Sequence, residues 1–255
     1  MGLARSTQAY HPQPKADEES LRKRMREVAE QRRSWGTPLI HQVLKREGLV
    51  QNHKRTERIY REEKLSLRTR KKKKCVGHLR VVMPEPSGVN ERWSMDFVQD
   101  RIWQGRKFRV FTIVDDYSRE CLALEVDTSI GGARVARVLD RIVAQRGRPA
   151  FLRSDNGPEF TGQALDEWAY RNGVKLDFID PGKPNQNAFI ESFNATLRRD
   201  CLNDNWFTSL SEARRIIEEW RMEYNRVRPH SSLRNLTPEE FASLNNEKLN
   251  LAVAQ

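Results

Sequence analysis

Apolar positions along the 255 residues follow two periods. From Asp17 the period is helical: Leu21, Met25 and Val28 recur at steps of four and three, with Arg and Glu between them. Thr37-Pro38 predicts an N-cap followed by proline at the first helical position. Leu39, Ile40, Val43 and Leu44 make that helix's apolar face, and Gly48 ends it. Asn52 predicts the cap of a third helix reaching about Glu63, with Ile59 and Tyr60 inward and Lys54, Arg55, Arg58 and Arg61 outward. A four-residue turn ahead of a basic last helix is the layout of a helix-turn-helix unit, and those four cations are its candidate DNA contacts. The plainer alternative is a helical bundle with solvated basic faces.

From about Val89 the texture changes. Trp93 to Val98 alternates as a strand, Phe108 to Val114 is a continuous apolar strand, and Cys121 to Val126 is a third, with Asp115-Asp116 in the turn between the last two. A helix carrying Val135, Val138, Leu139, Ile142 and Val143 follows, closed by Gly147. Ala150 to Arg153 is a short buried strand. A helix through Leu165, Trp168 and Ala169 ends at Gly173, and Val174, Leu176 and Phe178 alternate as a fifth strand. The order β-β-β-α-β-α-β-α predicts an α/β mixed sheet with helices on both faces, preceded by a small all-α domain. Ser209-x-x-Glu212 is a capping box ahead of the stripe Leu210, Ala213, Ile216, Ile217, Trp220 and Tyr224, and Thr237-Pro238-Glu239-Glu240 opens a last helix in the same way. These last helices are expected to complete the core or to meet another subunit.

Charge divides the chain where the pattern does. Residues 1–80 hold 22 basic and 9 acidic side chains, net +13, while residues 81–255 are nearly balanced at −2. The expected organisation is a flexible start over 1–16, a helix-turn-helix domain over 17–69, a basic linker over 70–88 containing Arg70 to Lys74, an α/β core over 89–205 and a C-terminal helical extension over 206–255. A basic third on a neutral body points to a polyanion partner, most commonly nucleic acid. No run of 18 apolar residues exists, so no membrane span is expected, and the N-terminus lacks the apolar stretch of a secretory signal. Three widely spaced cysteines, Cys75, Cys121 and Cys201, fit a reducing cytoplasm. His41, His53, Cys75 and His78 cluster loosely, but the paired-cysteine half of a finger is missing, so zinc is not expected.

Asp96 is the least ordinary acid, because a carboxylate in mid-strand costs desolvation unless something positive compensates it. Asp155 follows a different strand, in a loop stiffened by Gly157 and Pro158. Glu191 lies on a helix whose apolar stripe is Ile190, Phe193 and Leu197, and it is expected on the opposite face with Asn187, Asn194 and Arg198. Three carboxylates gathered at one end of a sheet suit magnesium, which takes oxygen ligands and substrate phosphates.

The stretches Trp93 to Val98, Arg153 to Phe160 and Gln186 to Asn194, with 35 residues between Asp155 and Glu191, resemble the integrase core of bacterial insertion-sequence transposases. The second-frame product of the IS-three family is the nearest in kind, and the tail Tyr224 to Leu233 followed by Leu236-Thr237-Pro238 is similar to that family's C-terminal signature. The resemblance implies a ribonuclease-H-like fold and a metal-binding catalytic triad of Asp96, Asp155 and Glu191. It implies two Mg2+ ions, with Mn2+ as a substitute, and double-stranded DNA, as element ends and target, for substrate. Asn156, Lys183, Asn187 and Arg198 become expected DNA contacts near the scissile phosphate. It further implies a homo-oligomer on DNA, a first-frame partner or frameshift fusion, and a bacterial cytoplasmic, nucleoid-associated location. The chain departs from the family pattern in four places: Thr56 replaces an apolar residue, Ala195 and Arg234 stand where glycine is usual, and the pair Arg199-Asp200 replaces an acidic pair before Cys201. The competing expectations are a catalytically silent DNA-binding regulator of transposition and a nuclease acting on RNA–DNA hybrids.

Overall fold

A computed structural model describes residues 17–68, 85–180 and 184–253; the predicted flexible start and nearly all of the basic linker lie outside the described residues. The chain divides into two compact units, residues 1–71 and 72–255.

The first unit contains α1 (Glu18–Gln31), α2 (Thr37–Arg46) and α3 (His53–Glu62). Leu21, Met25, Val28, Ile40, Leu44 and Ile59 are fully buried between them, as the apolar spacing predicts. Helix α2 is capped by Gly36, not Thr37, and Thr37 and Pro38 lie within its first turn. Proline tolerates that turn because its missing N–H has no helical partner there. Six residues, 47–52, separate α2 from α3, where a four-residue turn was expected. Asn52 caps α3 as predicted, accepting from the Lys54 N–H at 2.9 Å. The Thr56 hydroxyl is buried but satisfied by His41 Nδ1 at 2.8 Å, so this departure from an apolar residue leaves no orphaned polar group.

The second unit is a five-stranded mixed sheet in the order β3-β2-β1-β4-β5. Strands β1 (Arg92–Arg101), β2 (Lys107–Asp115) and β3 (Cys121–Asp127) are antiparallel neighbours, and β4 (Phe151–Ser154) and β5 (Lys175–Phe178) add in parallel beside β1. Alternation along the strands decides which side chains reach which layer. Trp93, Met95, Phe111 and Ile113 pack with α4 (Gly132–Arg146) and α5 (Gln163–Asn172). Val98, Phe108, Val110 and Val114 pack with α6 (Ala188–Asp200) and α7 (Leu210–Arg226) on the other face. This mixed sheet covered on both sides, preceded by the helical unit, is the ribonuclease-H-like arrangement.

Helix α7 starts at Ser209, whose hydroxyl accepts from the Glu212 N–H at 3.2 Å, and buries Ala213, Ile217 and Tyr224. Helix α8 (Pro238–Val253) starts with a reciprocal box between Thr237 and Glu240. The C-terminal signature is structural. Asn225 exchanges two 2.9 Å hydrogen bonds with the backbone of Cys121, completing the edge of β3, and Arg228 pairs with buried Asp200. Arg234 holds φ +57°, the left-handed region that glycine adopts without penalty, which accounts for the glycine usual at this position.

Candidate active site

Parity along β1 sends Asp96 to the α6 face. Its Cα partner across the sheet is Thr112, itself fully buried. Asp96 Oδ1 accepts from the Phe97 N–H at 2.7 Å, and Oδ2 accepts from the Asn194 amide of α6 at 2.7 Å. No arginine or lysine among the described residues pairs with it. Burial pushes its carboxyl above the ordinary aspartate range, and the charges of Asp155 and Glu191 push it further. Asp96 therefore lies within electrostatic reach of both Asp155 and Glu191.

Asp155 follows β4, the parallel neighbour of β1, so its loop opens at the end of the sheet toward which β1 runs. The Gly157 N–H donates to Asp155 Oδ1 at 3.0 Å, and a Cβ on residue 157 would stand 3.0 Å from the same oxygen. Asn156 is exposed and donates its amide to the Ile179 carbonyl at 2.9 Å, joining this loop to the end of β5. Buried Arg153 reaches Asp177 at 2.9 Å and the Gln186 carbonyl at 3.0 Å, tying β4 to the turn that leads into α6. A latch that sequence reasoning missed holds the loop from the other side. Arg109 lies over the Phe97 ring at 3.9 Å and pairs with Glu159. The only sequence signal for it was an acid placed inside the Asp155 motif.

Glu191 is exposed in the first turn of α6, with Asn194 and exposed Arg198 one and two turns on. Arg198 donates to the Gln99 carbonyl at 2.8 Å, so α6 and β1 run alongside each other. Asn187 does not share this outward face: it is only 5% exposed, buried at the N-cap. A short 3-10 turn, Pro184–Asn187, precedes α6 and breaks the helical spacing on which its expected orientation rested. Lys183 lies outside the described residues.

Two further carboxylates acting on a partly buried one that has no cation of its own are the donor type that suits a hard divalent ion. Among the described residues, no three His, Cys, Asp or Glu side chains are arranged to hold a metal ion as they stand.

Comparison with known proteins agrees with this architecture. Residues 86–184 and 172–238 match models of the integrase core domain, and residues 15–73 match a helix-turn-helix-like domain. A 31.7 kDa protein of insertion element IS407 from Burkholderia multivorans is 47% identical over 95% of this chain and 88% of its own length. A 39.2 kDa protein of insertion element IS476 from Xanthomonas euvesicatoria is 42% identical over 95% of this chain and 70% of its own. The chain belongs to the insertion-sequence transposases with an integrase core. In fold it is similar to a simian T-cell lymphotropic virus intasome chain, with TM-score 0.57 and 16% identity over 75% of this chain and 67% of that one. It is likewise similar to the HTLV-2 integrase catalytic core domain solved with magnesium, with TM-score 0.51 and 16% identity over 61% of this chain and 98% of that one.

In this transposase the basic helix α3 is less free than its sequence implies. Arg55 pairs with Asp17 at 2.7 Å, and Arg58 pairs with Glu18 at 2.8 Å and Glu62 at 2.9 Å. Lys54 is exposed, and Arg61, 74% exposed, only approaches Glu57 at 4.0 Å. These two cations of α3 are the ones open to a phosphate. Among the described residues no helix is long and apolar enough to cross a membrane.

Proposed function

We propose that this transposase cuts DNA at the ends of its element and joins the freed ends to target DNA, with Asp96, Asp155 and Glu191 as metal-holding catalytic residues. The observation that supports this reading is a partly buried mid-strand carboxylate held only by the Phe97 N–H and the Asn194 amide, without a cationic partner and with the like charges of Asp155 and Glu191 acting on it. The HTLV-2 core, solved with magnesium, provides a precedent on the same fold. Asp96, Asp155 and Glu191 would together hold the two magnesium or manganese ions. When bound, such a pair supplies charge stabilisation to the attacking and leaving oxygens of an in-line displacement at phosphorus.

The chain's own residues set the stage. Phe97 N–H and the Asn194 amide orient the two oxygens of Asp96. Gly157 and the Arg109–Glu159 latch hold the loop of Asp155. Holding ions requires the three carboxylates to draw closer than in the free chain, as catalytic contacts commonly do on loading. In the first step water attacks the phosphodiester at the element end, loses its proton and frees a 3′-hydroxyl. In the second that hydroxyl attacks a target phosphodiester and expels a new 3′-hydroxyl. Lys54, Arg61 and the basic segment 70–74 position duplex DNA, on which the chain acts as a homo-oligomer, alone or with a first-frame partner or fusion.

The test is cleavage of labelled element-end duplex with magnesium by wild type, Asp96→Asn, Asp155→Asn and Glu191→Gln. Loss of cutting with duplex binding retained is expected; wild-type cutting by all three would sink the assignment.

A further inference from the structure

Two of the chain's six tryptophans are kept in water on a rigid base. Trp103 is 68% exposed in the β1–β2 turn, and Trp206 is 74% exposed in the segment between α6 and α7. Their ring centroids are 4.8 Å apart at a tilt of 51°. By contrast, Trp35, Trp93 and Trp168 are buried.

The backbone beneath the pair is fixed. The Trp103 N–H donates to the Phe207 carbonyl at 2.7 Å, and the Ile102 N–H donates to the Arg106 carbonyl at 3.0 Å. The Phe207 ring, 2% exposed, packs edge-on against Phe108 at 5.6 Å. Neither indole N–H has a hydrogen-bond partner among the described residues. Exposed large apolar groups that the fold itself holds in place mark contact surfaces.

Charge specifies the partner. Arg101, Arg106 and Lys107 surround the turn, all exposed, and none makes an ion pair among the described residues. Elsewhere in this unit Arg92, Arg109, Arg134, Arg146, Arg215 and Arg228 are paired with acids, while Arg137, Arg171 and Lys175, like these three, make no ion pair among the described residues. The local carboxylates are Asp100, which accepts from the Arg101 N–H, and Asp204. Unpaired cations beside exposed π-faces are the combination that binds single-stranded nucleic acid: cations take phosphates and rings take bases. A duplex keeps its bases stacked on one another and offers none to the indoles.

We infer that Trp103 and Trp206 form a stacking platform for unpaired DNA bases, with Arg101, Arg106 and Lys107 on the adjoining phosphates. The platform lies off the end of the strand that carries Asp96, about 17 Å along β1 from Asp96 to Arg101 at ~3.3 Å per residue. It rests on the proposed DNA chemistry only for the source of the strand, a frayed or opened stretch beside the cut.

The test is an anisotropy titration of the full chain, in chelator, against a fluorescein-labelled oligothymidylate and a blunt duplex. Trp103→Ala with Trp206→Ala is expected to weaken single-strand binding about tenfold or more and to change duplex binding less than about twofold. Phe at both positions is expected to restore most of the loss, and Arg106→Glu to weaken single-strand binding with both rings intact. Unchanged single-strand affinity in the Ala pair, or an equal loss on duplex, would overturn the platform. Loss of self-association in sedimentation with unchanged DNA affinity would overturn it too, assigning the rings to a protein interface. Because the titration runs in chelator, its outcome does not depend on whether the carboxylates cut DNA.

Discussion

Where β1 begins, Asp115 and Asp116 are fully buried, and each is answered locally. Asp116 accepts from Arg92 Nε at 2.6 Å, while Asp115 accepts from the N–H groups of Asn90, Tyr117 and Ser118 at 2.8–3.0 Å. Four residues along the same strand from Arg92, Asp96 is answered by two N–H groups of no net charge and faces two further acids. Burial raises the carboxyls of both Asp96 and Asp116. Arg92 and Arg119 pull Asp116 back down, whereas Asp155 and Glu191 push Asp96 further up. The helical unit supplies the opposite extreme: Arg58 and Arg22 hold the Glu18 carboxyl down at about 2. Acids that serve the fold arrive with their compensating charge, and the acid proposed to serve chemistry does not.

The largest expected effect lies on the uncompensated side. Neutralising Asp96, Asp155 or Glu191 should lower cleavage about 10²–10³-fold in a single-turnover assay, comparable to losing one preorganised group at developing charge. A smaller loss at Asp96 than at Asp116→Asn would reverse the division of roles. On the compensated side, Arg92→Ala strands the buried Asp116 and should cost about 3–5 kcal/mol in denaturant unfolding. Pairing it with Asp116→Asn should recover much of that, as coupling between the two residues requires.

Asp96→Asn sharpens the contrast because stability and activity should move in opposite directions. A carboxyl raised in the folded state opposes folding at neutral pH. The new amide can pair with Asn194, whose buried Oδ1 has no partner. The melting temperature should rise by roughly 2–4 °C, the shift that 1 kcal/mol gives in a chain of this size; a fall would mean that Asp96 is compensated after all.

The smallest effect belongs to Glu18. Its folded value is depressed, so its contribution is complete above about 4.5 and is lost as pH falls toward about 2. Glu18→Gln should therefore remove about 1 kcal/mol at neutral pH, discounted for solvent screening, and should flatten the acid limb of a far-ultraviolet circular-dichroism titration.

Much of the scaffold was legible because it is local. Leu21, Met25 and Val28 are neighbours on a helix whatever surrounds it, and odd and even residues of β1 must face opposite layers. Asp96 was conspicuous on equally local grounds, a carboxylate in the middle of a strand. The misplaced features are those where a short irregular stretch resets the phase: the N-cap moved from Thr37 to Gly36, and the 3-10 turn before α6 took Asn187 out of line with Glu191. Of the cations read as outward on α3, Lys54, Arg58 and Arg61 are exposed while the Arg55 side chain is only 17% exposed, and Arg55 and Arg58 are held by acids 38 and 40 residues away.

Taken alone, the sequence determines the element types, the division into a basic helical unit and an α/β unit, and which acids interrupt an apolar pattern. Periodicity and capping act over a few residues and can be read along the chain. Beyond the ion pairs within one helix, such as Arg58 with Glu62, which charges are left without a counter-charge depends on the tertiary structure, because the remaining pairings join segments distant in sequence. Arg92 reaches Asp116, Arg109 reaches Glu159, and Trp103 meets Trp206 across about a hundred residues. Ion pairing and ring contact act at a few ångströms in space, a distance the order of residues does not encode. The fold therefore decides that Asp96 faces two like charges while Asp116 faces an arginine.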